Sequence, residues 1–502
     1  MTMNSEFEKY IGILAKVSTI NILGMFLLNG IGFANNMIFA KVLGVENYGR
    51  FGILSSLIGL ISVFAIMGLT KGNIKYGSIY YSRKNESSFL SLFNSSFGLS
   101  GFVSTILSII LYYNSDAIAT LYFKDIVYSS YLKIYSLGIL LASSLAISKS
   151  FLNSIQKNEI TVYTVIGQKL LNIGVVLLII VFFGTINLDT FILINLISTS
   201  IVILFNIFLL FRLTGYSIRN IFKSLIKPVN DYWFLSFSIL GVEFISSIAS
   251  YSDKLLLGSM ANAKEAGLYI FAFALSGFIV IVSNAFQNIF SPIIATIHEQ
   301  KKYELMRELY NKVTNWVIIF TLPIFWGLVL FYPVLFNPIF NEFESAYYIL
   351  IIIVMAKMIN AMSSMAYNIF SMTGLQKILL RLTISNTILI ISLQYILIPK
   401  YGGIGASVPI LFTSSIFFLI SFIVLKKKVG LQPYNLNTVK ALVISAVLFI
   451  STYGIINQIT NYAWSVTLII ISGFAYLYTI YLFIADSYEK ELLKTFINNK
   501  LK

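Results

Sequence analysis

The sequence of 502 residues lacks cysteine, so no disulfide bond can form. It has one histidine, His298, next to Glu299, whereas a zinc site needs several ligands at fixed spacing, so we expect no metal site. A Gly-x-x-x-x-Gly-Lys-Ser/Thr phosphate loop is missing, which excludes an ATPase of that class. An Asp-x-Asp pair is missing too, and only 11% of the residues are charged. These absences argue against a catalytic domain and against any bound cofactor.

Long apolar runs are what the sequence has in abundance: 58% of the residues are hydrophobic, and the mean hydropathy is +0.85. A helix that spans a bilayer needs roughly 20 mostly apolar residues, and fourteen runs of about that length follow one another. The sequence therefore predicts an all-α polytopic membrane protein with fourteen transmembrane helices, at about residues 17–40, 50–70, 89–113, 126–148, 160–183, 190–212, 232–257, 266–294, 312–335, 344–370, 377–398, 403–425, 437–457 and 463–485.

The basic residues predict the orientation. If the N-terminus is cytoplasmic, twenty-six of the 35 Lys and Arg residues lie on the cytoplasmic side, against six on the outer side. Because cytoplasmic loops of membrane proteins carry the excess of Lys and Arg, we expect both termini to be cytoplasmic. The net charge of +15 is then a signal for insertion and for the lipid surface rather than for nucleic acid.

The chain also resembles itself at an offset of a little over two hundred residues. Three pairs of segments recur in the same order: Leu43–Gly49 with Leu257–Ser259 and Ala266–Tyr269, Arg83–Phe93 with Lys301–Tyr310, and Phe151–Lys157 with Ile369–Lys377. Six spans separate the copies, so we predict two six-helix bundles related by a pseudo-two-fold axis along the membrane normal. The predicted division is an N-terminal bundle of helices 1–6 at residues 1–228, a C-terminal bundle of helices 7–12 at 229–428, and helices 13–14 with a cytoplasmic tail at 429–502.

In these segments the chain resembles the multidrug/oligosaccharidyl-lipid/polysaccharide (MOP) exporter superfamily, and within it the Wzx-type flippases of O-antigen and capsule units. The matching passages are Ala40–Gly52, Asp253–Gly258, Glu265–Tyr269 and Leu397–Ala406. The family usually has Arg where Lys41 stands, which keeps the charge but loses the fork of donors. The glycines of these passages favour tight turns, so we interpret the motifs as structural elements rather than as substrate ligands.

Four charged residues lie deep inside the predicted spans: Lys169, Lys357 and Glu243 near the middle of spans five, ten and seven, and Lys133 about two turns inside span four. A charge at the centre of a bilayer costs about 2.5–3.5 kcal/mol on insertion scales, so such residues normally face a bundle interior or a watery cavity. Three cations and one anion leave that interior positive. We therefore predict an anion-binding cavity that contains the lysines, which suits a pyrophosphate-linked sugar. The alternative for Lys133 is snorkelling to the outer interface.

Glu243 stands alone as a carboxylate near mid-membrane, so it either balances a lysine or binds a coupling H⁺ or Na⁺. Polar residues in the spans either bond sugar hydroxyls in the cavity or bridge helices. The candidates are Asn36, Asn172, Gln287, Asn288 and Asn360.

The leading hypothesis is a flippase that moves a polyprenyl-pyrophosphate-linked oligosaccharide from the inner to the outer leaflet of a bacterial cytoplasmic membrane by alternating access. Its partners would be that lipid-linked oligosaccharide, membrane lipids and other polysaccharide-assembly proteins, and we expect a monomer. A lipid II flippase and a multidrug/ion antiporter of the same fold remain alternatives. An alternative from another class is a membrane glycan polymerase or glycosyltransferase, which the missing Asp-x-Asp pair and outer loop disfavour.

Overall fold

The computed structural model describes residues 3–217, 230–459, 461–487, 489 and 490. Twelve helical segments among them are long and apolar enough to cross a membrane, so the chain is a multi-pass membrane protein. The α-helices of the described residues are α1 (Met3–Ile66), α2 (Leu69–Ser82), α3 (Glu86–Tyr113), α4 (Ser115–Ala117), α5 (Val127–Tyr135), α6 (Leu137–Ser154), α7 (Asn158–Phe183), α8 (Leu188–Thr214), α9 (Asn230–Met260), α10 (Ala263–Leu275), α11 (Ile279–Glu299), α12 (Tyr303–Phe331), α13 (Asn337–Ile339), α14 (Ala346–Met372), α15 (Gln376–Val429), α16 (Leu436–Ile456) and α17 (Tyr462–Phe483).

Two glycines explain why the described residues form twelve membrane-length helical segments although fourteen spans were predicted. Gly44 interrupts α1 with φ 71° and ψ 169°, and Gly402 interrupts α15 with φ 53° and ψ −127°. Glycine adopts positive φ without the steric cost that a Cβ brings, so each helix breaks there without a loop. Predicted spans 1 and 2 therefore overlap the single segment Gly24–Ile66, and spans 11 and 12 fall within Gln376–Val429.

The described residues group into two compact units. Unit 1 comprises Met1–Gly30, Phe271–Leu397 and Gly403–Lys502, and unit 2 comprises Ile31–Ile270 and Ile398–Gly402. These units differ from the predicted boundaries because the start of α1 groups with later helices, while all of α9 groups with earlier ones. The predicted division into two six-helix bundles follows the sequence repeat and remains a prediction.

In unit 1 the start of α1 packs into a core built from later helices. Ile11 and Leu14 are fully buried among residues of α11, α12, α14 and α15, and Lys302 Nζ donates to both Glu6 carboxylate oxygens at 2.7 and 2.6 Å. Helices α16 and α17 pack on α12, where Lys312 Nζ binds Asp486 Oδ2 at 2.6 Å. Contacts at both ends of the described chain thus converge on α12.

In unit 2 a buried polar network joins four helices. Asn73 Nδ2 on α2 donates to Ser150 Oγ on α6 at 3.1 Å, and Ser96 Oγ on α3 donates to Asn73 Oδ1 at 2.7 Å. The Tyr232 hydroxyl on α9 donates to the same Asn73 oxygen at 2.9 Å. Gly72 makes room for this tyrosine, because a Cβ there would lie 2.6 Å from its ring. The network therefore fixes the start of α9 on α2, α3 and α6.

Tyr232→Phe is expected to lower the melting temperature of the purified protein. The substitution keeps the ring but removes the hydroxyl, and an interhelical hydrogen bond in a membrane protein contributes about 0.6 kcal/mol on average and about 1.7 at most. The measurement is thermal unfolding in detergent. The control is Tyr163→Phe on α7, whose side chain is exposed, and an equal shift in the two variants would contradict the role assigned to the network.

Three of the family-like passages meet in unit 2 at a contact that we call the glycine junction, formed by Gly49, Gly267 and Gly402. A Cβ on Gly49 would lie 2.7 Å from the Gly267 nitrogen, and one on Gly267 would lie 3.0 Å from the carbonyl carbon of Val45. A Cβ on Gly402 would lie 2.7 Å from the carboxyl carbon of Glu265. Backbones approach this closely only where side chains are absent. The junction supports the structural interpretation of these motifs.

Candidate functional site

The predicted site residues are distributed over both units. Unit 2 holds Lys169, Lys133, Glu243, Asn36 and Asn172, and unit 1 holds Lys357, Gln287, Asn288 and Asn360. Each group is described here within its own unit.

Lys169 lies well inside α7, where its side chain is half-buried. It is eleven residues beyond the start of the helix, a rise of about 17 Å at about 1.5 Å per residue, which is near the middle of a hydrocarbon core of about 30 Å. Its Nζ lies over Gly32 of α1, so close that a Cβ on that glycine would be 2.5 Å away. Among the described residues Lys169 forms no ion pair.

Two buried amides lie one helical turn from these residues. Asn172, a predicted site residue, is 5% exposed, and no hydrogen-bond partner among the described residues reaches its Oδ1. On α1, Asn35 is 8% exposed and its Oδ1 is likewise unpartnered, whereas the predicted Asn36 is half-buried. An unpartnered buried acceptor is costly, so it marks a place where a ligand hydroxyl or a water would be stabilised.

Lys149 is a residue that the sequence analysis assigned to the cytoplasmic side, because predicted span four ended at residue 148. Helix α6 instead continues to Ser154, so Lys149 is a half-buried residue of the helix. Its helix packs against α7, which carries Lys169. Nothing in the apolar pattern of the sequence distinguishes this lysine from those that end a span.

Lys133, on α5, is already neutralised. Its Nζ donates to Asp116 Oδ1 at 3.0 Å and to Oδ2 at 3.2 Å, and Ser129 Oγ donates to the same carboxylate. These hydrogen bonds, from Ser129 first and then from Lys133, hold the pKa of the Asp116 carboxyl below its ordinary value. Asp116 lies in the segment that precedes α5, and both side chains are partly exposed. The pair explains the charge of Lys133 without a ligand.

Stability should depend on this pair at low pH. Because the folded pKa of Asp116 is lowered, its ionised form stabilises the folded protein above the ordinary carboxyl pKa of about 4, and that contribution disappears as the pH falls through the lowered value. We expect Asp116→Asn to melt slightly below the wild type at about pH 7, with the difference shrinking as the pH falls below about 4 and vanishing below the lowered pKa of Asp116. Thermal unfolding across this range measures it, and a difference that persists at the lowest pH would contradict the ion pair.

Glu243 is half-buried near the middle of α9. Lys71 of α2 attracts the Glu243 carboxylate electrostatically. The next residue, Phe244, packs on Phe64 with ring centroids 4.8 Å apart. Glu243 therefore has a basic neighbour that the sequence analysis placed on the cytoplasmic side.

In unit 1, Lys357 is half-buried on α14 and lies over an aromatic ring. Its Nζ is 4.0 Å from the centroid of Phe273 and 3.5 Å from the carbonyl oxygen of the same residue. A cation over an aromatic face is stabilised by the ring quadrupole, which lowers the cost of holding the charge inside a span. Gln287 is half-buried, while Asn288 and Asn360 are exposed on their helices.

Two other kinds of site receive no support from the described residues. No group of three or more His, Asp or Glu side chains among them is arranged to hold a metal ion. A cavity of about 190 Å³ lies between α12, α16 and α17, with Trp326, Phe449 and Tyr476 in its mainly apolar lining. None of the predicted site residues lines it.

Comparison with known proteins identifies the family. Residues 38–343 match the family model described as polysaccharide biosynthesis protein. No curated protein is similar enough to match.

Solved structures share the fold. An inward-facing multidrug resistance MATE family transporter of the MOP superfamily has 13% identity and a TM-score of 0.66, with 82% of this chain and 98% of that chain covered. A lipid II flippase in an inward closed conformation has 16% identity and a TM-score of 0.70, with 92% and 99% covered. Identities this low establish the fold alone, but the family model spans more than half of the chain. This chain therefore belongs to the polysaccharide biosynthesis protein family and has the fold of MOP superfamily transporters, which are not enzymes.

Proposed function

We propose that this protein is a flippase that moves a polyprenyl-pyrophosphate-linked oligosaccharide from the inner to the outer leaflet by alternating access. The observation that carries the proposal is Lys169, which is half-buried at mid-span and has no carboxylate partner among the described residues. An uncompensated charge at this depth is costly unless an anion or water faces it. A transporter in a polysaccharide biosynthesis family has an anionic substrate available in the diphosphate of a lipid-linked glycan.

The proposed substrate ligands are Lys169 in unit 2 and Lys357 in unit 1. Lysine is a compact charge with three donors, so it can exchange one phosphate oxygen for another as a substrate moves. Asn36, Asn172, Gln287, Asn288 and Asn360 are proposed as partners for sugar hydroxyls. Lys133 is left out of the proposed site because Asp116 already neutralises it.

The proposal includes fourteen membrane crossings. Segment Gly24–Ile66 has 43 residues, a helical length of about 65 Å, and Gln376–Val429 has 54 residues, whereas a crossing needs about 30 Å. Each segment contains one glycine break, so we infer that each crosses the membrane twice. Gly44 separates the two crossings of the first segment, and Gly402 separates those of the second. The distribution of basic residues supports cytoplasmic termini, and the proposed membrane is the bacterial cytoplasmic membrane. The proposed division is into bundles 1–228 and 229–428 and the pair of helices at 429–502.

Glu243 is the proposed site of ion coupling. A half-buried carboxylate beside Lys71 can alternate between an ion pair and a bound H⁺ or Na⁺, and either change would alter how α9 is held. Without a gradient, consumption of the glycan on the outer side would drive transport.

The test is reconstitution. Purified protein in liposomes, loaded with a fluorescent polyprenyl-diphosphate-linked oligosaccharide in one leaflet, should expose that lipid to a membrane-impermeant glycosidase faster than protein-free liposomes do. In cells, deletion should cause lipid-linked glycan to accumulate on the cytoplasmic leaflet. Selective exposure of lipid II instead would support the lipid II alternative, and transport of organic cations alone would support the multidrug antiporter.

A further inference from the structure

The starts of α1 and α9 pack in a way that exchanges them between the two sequence repeats. Helix α1 belongs to the predicted N-terminal bundle, yet within unit 1 its start packs on α11, α12, α14 and α15. Helix α9 belongs to the predicted C-terminal bundle, yet within unit 2 its start packs on α2 and α3. Helix α2 follows predicted span two and α3 carries span three, whereas α11 and α12 carry spans eight and nine. The two contacts are therefore equivalent under the repeat.

Two buried serines occupy corresponding positions in these contacts. Ser18 of α1 precedes Gly49 of the glycine junction by 31 residues, and Ser236 of α9 precedes Gly267 by the same number. Ser18 is 1% exposed and Ser236 is 0% exposed, and neither hydroxyl has a hydrogen-bond partner among the described residues. A buried hydroxyl without a partner is unfavourable, and exposure to water would remove that cost. Both helix starts are therefore held in cores that they would leave more easily than a fully satisfied helix would.

An ion pair holds the start of α1. Lys302 Nζ donates to the two carboxylate oxygens of Glu6 at 2.7 and 2.6 Å, and both side chains are partly exposed to solvent. Ile11 and Leu14 follow on the same helix and are fully buried. An ion pair that water can reach contributes little to stability and is screened by salt, so it can open and close readily.

Neutral groups hold the start of α9. The Tyr232 hydroxyl donates to Asn73 Oδ1 at 2.9 Å and lies 2.8 Å from Ser96 Oγ. Gly68 has φ 68°, and a Cβ there would lie 3.1 Å from the backbone nitrogen of Leu240. The backbone of α9 therefore packs directly on the break between α1 and α2. Hydrogen bonds and close packing of this kind are not screened by salt.

We propose that the starts of α1 and α9 are a pair of latches, equivalent under the repeat, that release together when the transporter opens towards their side of the membrane. Glu6 with Lys302 forms the ionic latch, and Tyr232 with Asn73 forms the neutral latch. Both starts lie on one side because six spans separate them, and the expected orientation makes that side cytoplasmic. The inference rests on the proposed function, since alternating access requires such an opening for a substrate that enters from the inner leaflet.

Single cysteines can report the release, because the chain contains no cysteine of its own. Ser18→Cys and Ser236→Cys each introduce one buried thiol at little change in size, and the rate of its reaction with a water-soluble maleimide is measured on purified protein. We expect slow labelling of both thiols. Glu6→Lys places two like charges together and should raise the labelling rate of both thiols about fivefold. Adding Lys302→Glu to Glu6→Lys should restore slow labelling, since the ion pair is then formed with its charges exchanged.

Tyr232→Phe tests the neutral latch in the same way. Loss of one interhelical hydrogen bond should raise the labelling rate of both thiols about threefold, although only α9 is changed. The control thiol is Ser198→Cys on α8, which is 0% exposed and should label slowly in every variant. The control for charge is Glu308→Lys, which makes the same change on an exposed residue of α12 and should leave both rates unchanged.

Each other outcome counts against the latches. An increase confined to the thiol on the altered helix would show that the two starts release independently, and the pairing would be wrong. Fast labelling without any further substitution, unchanged rates in both variants, or an equal rise at Ser198→Cys would overturn the latches themselves.

The two proposals fail differently. If both thiols respond as expected but liposomes show no movement of the glycolipid, the latches are correct and the flippase function is wrong. If the glycolipid is moved but Glu6→Lys and Tyr232→Phe leave the labelling rates unchanged, the function is supported and the latches are wrong.

Discussion

Lys169→Gln is expected to reduce glycolipid flipping by about tenfold to hundredfold while leaving the amount of inserted protein unchanged. The variant keeps the length and some hydrogen-bonding capacity of the side chain but removes its charge. A hydrogen bond to a charged group contributes about 1.5–3 kcal/mol, which corresponds to that range. Removing a charge from mid-span also removes an insertion cost, so the protein should not become less stable.

The measurement is the initial rate of glycosidase exposure in liposomes that contain equal amounts of each variant. Lys157→Gln should move the lipid at the wild-type rate, because that side chain is exposed at the α6–α7 connection. Lys357→Gln is expected to show a loss similar to that of Lys169→Gln, since each is a proposed substrate ligand within its own unit. Wild-type rates in both variants would show that the substrate binds elsewhere.

Gly267→Ala is expected to be among the most destabilising single-methyl additions in the chain. In an ordinary helix, alanine is favoured over glycine by about 1 kcal/mol, so the local preference predicts stabilisation. At the glycine junction the added Cβ would lie 3.0 Å from the Val45 carbonyl carbon, and backbone there cannot move aside as a side-chain tip can. Overpacking of this kind costs about 1–3 kcal/mol or more, which reverses the sign.

The yield and melting temperature of folded protein in detergent measure this effect. Gly98→Ala on α3 is the matched control, because no atom lies within 4 Å of a Cβ at that position, and it should be neutral or slightly stabilising. Gly49→Ala should behave like Gly267→Ala, since its Cβ would meet the other side of the same contact. Equal melting temperatures for Gly98→Ala and Gly267→Ala would disprove the close approach.

Several features followed from the sequence because they depend on local chemistry. Apolar runs of sufficient length produce helices that suit a bilayer, and the structure has a helix at each predicted span. The family model confirms a polysaccharide biosynthesis family, and the solved structures confirm the fold of the MOP superfamily. The motifs that carried the resemblance contain the glycines of the junction, although sequence alone could not show that they touch.

The contacts that the sequence did not reveal around the predicted site have a common cause, which is distance along the chain. Lys133 looked like a cavity cation because its partner, Asp116, is 17 residues away and precedes the span. Lys149 fell outside predicted span four because hydropathy does not define the last turns of α6. Asn35 was missed beside Asn36, since which of two adjacent amides is buried depends on how the helix is rotated against its neighbours.

The sequence by itself determined that this chain crosses a membrane as helices, that it repeats internally, and that it carries lysines within apolar spans. These properties depend on residue type and spacing, which act through transfer from water to lipid and through local backbone preference. Only the tertiary structure decided which lysines are neutralised, which lysine lies over Gly32, and which glycines allow backbones to touch. Those outcomes depend on contacts between residues far apart in sequence, where burial and charge are determined by the neighbour rather than by the residue itself.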